Sequence, residues 1–101
     1  MKKGKEPLTI EKLRTKGDNV IKAVFRKIDD APNVAIIGDQ NKDDPRKWAL
    51  LGDDRTKYAK VMRECVNILK YKEESFIPSK KDSMPLKKWD KLIDKVTKMI
   101  E

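Results

Sequence analysis

Histidine does not occur in this sequence, and cysteine occurs once, as Cys65. The first absence removes the commonest general base and the commonest zinc ligand. A histidine-based catalytic triad and a His/Cys zinc site therefore have no residues to build them. The second rules out an intrachain disulfide. The four glycines never cluster, which leaves no phosphate-cradling loop. No apolar run approaches the ~18 residues of a membrane span. The basic start "MKKGKEPLTIEKL" has no apolar stretch behind it of the kind a secretory signal carries. A lone thiol suits a reducing compartment. These absences predict a cytoplasmic protein with no membrane segment, no cofactor, no metal and no catalytic residues.

Charge is abundant. Of the 101 residues, 42% are charged and 38% apolar, with a net charge of +8. Such a balance can mark disorder, but here the signs are mixed and the apolar positions periodic, so a folded domain with a highly charged surface is expected. A basic field favours polyanions or an acidic protein surface. Twenty lysines stand against five arginines. Arginine forks are the favoured readers of guanine, so the balance points away from base-specific recognition.

Residues 1–8 carry Gly4, Pro7 and little to bury, and read as a flexible basic arm ahead of a single helical domain over 9–101. Thr9 can cap a helix in which Ile10, Leu13, Val20, Ile21, Val24, Phe25 and Ile28 keep helical spacing. Gly17 falls on that apolar stripe. Either one helix runs through it at a close contact, or a short helix stops there and Asp18 caps a second; the stop is preferred. "VAII" at 34–37 is apolar and β-branched, and reads as a strand or a buried plug. "DDPRKWALLG" reads as a short helix capped by Asp44, with Pro45 first inside and Gly52 as its stop. From Asp53 or Asp54 to about Glu74, Tyr58, Val61, Met62, Cys65, Ile68 and Leu69 mark the longest helix, with Cys65 as a small core hydrophobe. A last helix follows Ser83 as cap, with Pro85 just inside and a stripe of Leu86, Trp89, Leu92, Ile93, Val96, Met99 and Ile100. The fold class is mainly α: a small bundle of three to five helices, with room for one short strand pair of about 34–37 with 75–77.

Five aspartates gather at Asp39, Asp43, Asp44, Asp53 and Asp54. Carboxylates in such number could hold Mg²⁺ for phosphoryl chemistry. Helix capping and solvation account for them more simply. The ends of the chain are basic and the middle is not: residues 1–16 hold six basic and two acidic groups, 75–101 seven and four, 31–56 four and five. On the last helix Lys87, Lys91, Lys95 and Lys98 form a stripe flanked by Asp90 and Asp94, which suits a solvated face with pairs along the helix or a polyanion-binding face. Trp48 and Trp89 lie on apolar faces and read as core anchors.

Two functional readings follow. The first is a non-enzymatic protein that associates with DNA or RNA at low sequence specificity. Its phosphate contacts would come from Lys2, Lys3, Lys5, Lys87, Lys88, Lys91, Lys95 and Lys98. The second is a small accessory, regulatory or inhibitory protein, of the kind viruses and mobile elements make. It would dock on a larger acidic partner through an apolar anchor such as Trp48 or Met84.

Overall fold

The computed structural model describes residues 7–37 and 41–101. Lys2, Lys3 and Lys5 of the expected arm, and Asp39, lie outside the described residues. Helix α1 spans Ile10–Asp30, strand β1 Ala35–Ile37, a 3-10 turn Pro45–Lys47, strand β2 Ala49–Leu51, helix α2 Arg55–Glu74, the single-turn helix α3 Pro78–Lys81, and helix α4 Leu86–Met99. The fold is the expected small helical bundle with a short strand pair. No helix among the described residues is long and apolar enough to cross a membrane.

Three long helices share one core. α1 starts where Thr9 accepts a hydrogen bond from the Lys12 amide at 3.2 Å. It does not stop at Gly17 but runs through it. The reason is packing: a Cβ at Gly17 would lie 3.0 Å from Ile68 Cγ2, 3.7 Å from Trp89 Nε1 and 3.8 Å from Ile93 Cδ1. The glycine lets α2 and α4 meet on α1, and their burial outweighs its ~1 kcal/mol helix penalty. Asp18, expected as a cap, instead receives Lys72 of α2 at 2.8 Å. Arg14 lies opposite Ser75 and Asp18 opposite Lys72, so α1 and α2 run antiparallel. Tyr71 stacks on Trp89 and Glu64 pairs with Lys95, so α2 and α4 are antiparallel too. Cys65 is fully buried at the centre, and burial pushes its thiol pKa up to about 12.

The strand pair differs from expectation in its second member. Ala35, Ile36 and Ile37 pair antiparallel with Leu51, Leu50 and Ala49, not with 75–77. The segment "ALL", good helix formers by propensity, is a strand because pairing with "AII" and packing on α2 override local preference. The expected helix at 44–52 shrinks to the 3-10 turn. Asp44 still caps it, accepting from the Arg46 amide at 3.0 Å. Ser75 is needed elsewhere: it is buried at the end of α2, where its side chain and carbonyl accept from Arg14 at 2.9 and 2.8 Å. The Arg14 guanidinium also lies over the Phe76 ring at 3.9 Å. A cation placed there complements the carbonyl end of α2.

The hairpin is fastened to the bundle at two points. Trp48 is buried, stands edge-on to Phe25 with ring centroids 5.3 Å apart, and donates to the Asn41 carbonyl at 2.6 Å. Gly52 has φ +119°, and a Cβ there would lie 2.4 Å from the Asn33 carbonyl oxygen. Only glycine suits that backbone and that approach. It ends a strand, not the helix expected before it. α2 begins after Asp54, whose side chain makes no capping bond. At α4, Pro85 holds the cap position, and Ser83 turns its hydroxyl back to the Lys80 carbonyl instead of capping.

Candidate nucleic-acid interface

α4 buries Trp89, Ile93 and Val96. At about 100° per residue, Lys87, Lys91 and Lys98 fall on the opposite side, and Lys88 and Lys95 on the flank toward α2. All five are exposed. The acidic residues of the helix are on the other flank. Lys16 of α1 bridges them, 2.7 Å from Asp90 and 3.2 Å from Asp94. The hydrogen bond to Asp90 is the main cause of the raised Lys16 pKa. The expected pairing along the helix is thus replaced by pairing between helices. Asp90 and Asp94 are partnered across the α1–α4 seam, with Asp94 still 56% exposed beside the lysines of the solvent face.

Of those lysines, Lys95 is tied to Glu64 of α2 at 2.9 Å. That bond holds the Glu64 carboxyl below its ordinary pKa against the effect of burial. Lys87, Lys88, Lys91 and Lys98 have no carboxylate at ion-pair distance among the described residues. Lys91, Lys95 and Lys98 with Asp94 and Met99 line a shallow depression of about 570 Å³. A long phosphate chain needs such an open track; an enclosed cavity would not serve it.

α2 adds cations that the sequence reading left out. Lys60, Arg63 and Lys70 occupy its exposed side and likewise have no carboxylate at ion-pair distance among the described residues. Their spacing of i, i+3 and i+10 was legible as one helical face. The acids of α2 are engaged: Glu64 with Lys95, Glu73 with Arg46 at 2.9 Å, and Glu74 with Lys80 at 3.4 Å.

The aspartates disperse. Asp44 caps the 3-10 turn and binds the Arg46 side chain at 3.0 Å, which lowers its pKa. Asp43 sits 3.9 Å from Lys22. No group of three or more acidic or cysteine side chains is poised to hold a metal ion among the described residues. Trp48 and Trp89 are both buried, so Trp48 is an anchor of the protein's own core and is not presented to a partner. Met84 is half-buried against the same core.

The basic face thus stands on its own geometry. The chain matches no protein-family model, no curated protein and no solved structure.

Proposed function

We propose that the protein associates with nucleic acid without catalysing a reaction, through phosphate contacts of low sequence specificity. Lys87, Lys88, Lys91, Lys95 and Lys98 of α4 are the principal contacts, with Lys2, Lys3 and Lys5 extending them. One observation carries this reading: Lys16 bridges Asp90 and Asp94, and four of the five exposed lysines of α4 have no carboxylate at ion-pair distance among the described residues. Lysine heads on flexible stems suit phosphate tracking more than base reading.

The test is binding to a generic duplex, a single strand and RNA across a salt series. Four or five phosphate contacts give a log–log salt slope of about −3.6 to −4.5 on duplex DNA. Lys87→Glu, Lys91→Glu and Lys98→Glu together should flatten that slope by about three. Absence of binding at low salt, or an unchanged slope in the triple variant, ends the proposal. The accessory-protein reading draws on a different surface, the cleft between β2 and α2.

A further inference from the structure

We propose that the groove between β2 and the first half of α2 docks an extended acidic segment of a partner protein. That segment adds as a strand to the open edge of β2. The inference gives the accessory-protein reading a site, and it stands or falls apart from nucleic-acid binding by α4.

The groove measures about 400 Å³. Leu50, Ala59 and Met62 supply its apolar lining; Arg55, Lys60 and Arg63 supply its charge, with no acidic residue among them. Lys60 and Arg63 have no carboxylate at ion-pair distance among the described residues, though Arg63 lies near enough to Glu64 to help lower its pKa. Arg55 spends one guanidinium nitrogen on the Gly52 carbonyl at 3.0 Å, which holds the others at the rim. An occupant must therefore offer an apolar side chain to the floor and carboxylates to the rim.

The neighbouring strand supplies the backbone half of the site. The sheet has two strands only among the described residues, so β1 occupies one edge of β2. No backbone group of Ala49–Leu51 makes any other backbone bond among the described residues. An antiparallel strand points alternate N–H and C=O groups away from its partner, and those of β2 are left to be matched. β1 packs on α1 and β2 on α2, and Leu50 of β2 lines the groove, so strand and groove are neighbours. The outward face of the ribbon is apolar as well: Ile37 is 45% exposed and Leu51 58%. A sheet edge with an apolar pocket beside it is the arrangement by which strand addition recognises extended peptides.

Charge selects the occupant. A second copy of this chain would bring a net charge of +8 to a basic rim. A nucleic acid would satisfy the rim but would offer neither an apolar anchor nor a strand to pair.

The test is an NMR titration with a short synthetic peptide alternating Glu and Val, beside a matched peptide alternating Glu and Ser. The Glu/Val peptide should shift the amides of Ala49–Leu51 and of the first half of α2. It should bind at least about tenfold tighter than its serine counterpart, the signature of a buried apolar anchor. Lys60→Glu with Arg63→Glu should weaken it by about tenfold or more. Leu51→Lys, on an exposed position, gives a second variant, and unchanged melting of both shows that they fold. The triple α4 variant should retain peptide binding, which separates this site from the lysine face. Shifts confined to α4, equal binding of the two peptides, or displacement of the peptide by a DNA duplex would each overturn the proposal.

Discussion

Gly17 and Gly52 each sit where a side chain would collide, yet the two sites resist substitution for different reasons. At Gly17 the backbone is ordinary α-helix, and the nearest obstacle is the Cγ2 methyl of the Ile68 side chain at 3.0 Å. At Gly52 the backbone has φ +119°, and the obstacle is the Asn33 carbonyl oxygen at 2.4 Å. The helical seam is side chain against side chain, and an added Cβ asks Ile68 to shift by a few tenths of an ångström. The hairpin joint is backbone against backbone, held by the Asp54 amide donating to the same Asn33 carbonyl at 2.9 Å, and has no soft element. The bundle is thus graded in its tolerance, whereas the joint that sets the position of β2 is close to all-or-none.

The sharpest way to break this contrast is Gly52→Ala. Strain and clash together should cost about 3 kcal/mol, read as a lower denaturant midpoint and altered Trp48 fluorescence. A cost under about 1 kcal/mol would show that the joint yields after all. Next comes Gly17→Leu, which overpacks the seam and should cost about 2–3 kcal/mol. Gly17→Ala should stay within about 1 kcal/mol of the parent, because helix propensity offsets the shift it asks of Ile68. Gly17→Ser sharpens the point further. Trp89 Nε1 is buried with no hydrogen-bond acceptor among the described residues and would lie 3.7 Å from a Cβ at position 17. A serine hydroxyl there can accept from it, so the serine variant should exceed the alanine variant in stability by about 1 kcal/mol.

The smallest effects are those of pH and of the thiol. Asp44 and Glu64 have lowered pKa values in the folded chain, so their contribution is present above the ordinary values of 3.8 and 4.5 and is lost as pH falls below them. A shallow decline in melting temperature on the acid side should follow, and Glu64→Gln should reduce it. Cys65 behaves in the opposite sense. Its folded pKa lies near 12 against an ordinary 9.0, so the unfolded chain ionises first and stability falls as pH rises above 9. At neutral pH a thiol reagent should modify Cys65 only at the rate of unfolding, and Cys65→Ala should reduce the alkaline decline, leaving the part due to the raised Lys16 pKa.

Much of the bundle was legible because its signals are local. The stripes of α1, α2 and α4, the caps at Thr9 and Asp44, and the burial of Cys65, Trp48 and Trp89 all follow from spacing and residue type. Gly17 was misread because a glycine that ends a helix and one that admits a neighbouring helix look alike in one dimension. The partner of "AII" was misplaced for a related reason. "ALL" carries no strand signal of its own, and Ser75, Phe76 and Ile77 carried more. Only the docking of Arg14 on the end of α2 removes them.

The candidate interface divides the same way. The sequence by itself determined the lysine stripe of α4, since identity and period place those side chains on one face of any helix they form. It also determined that these residues offer no histidine chemistry and no intrachain disulfide. Only the tertiary structure decided that Asp90 and Asp94 turn to Lys16, that Lys95 goes to Glu64, and that the aspartates of the hairpin disperse to Lys22 and Arg46. Those pairings join residues up to 78 positions apart in the chain. Charge on a helix is written locally, but whether a neighbour neutralises it depends on which helices pack together, and the buried faces make that choice.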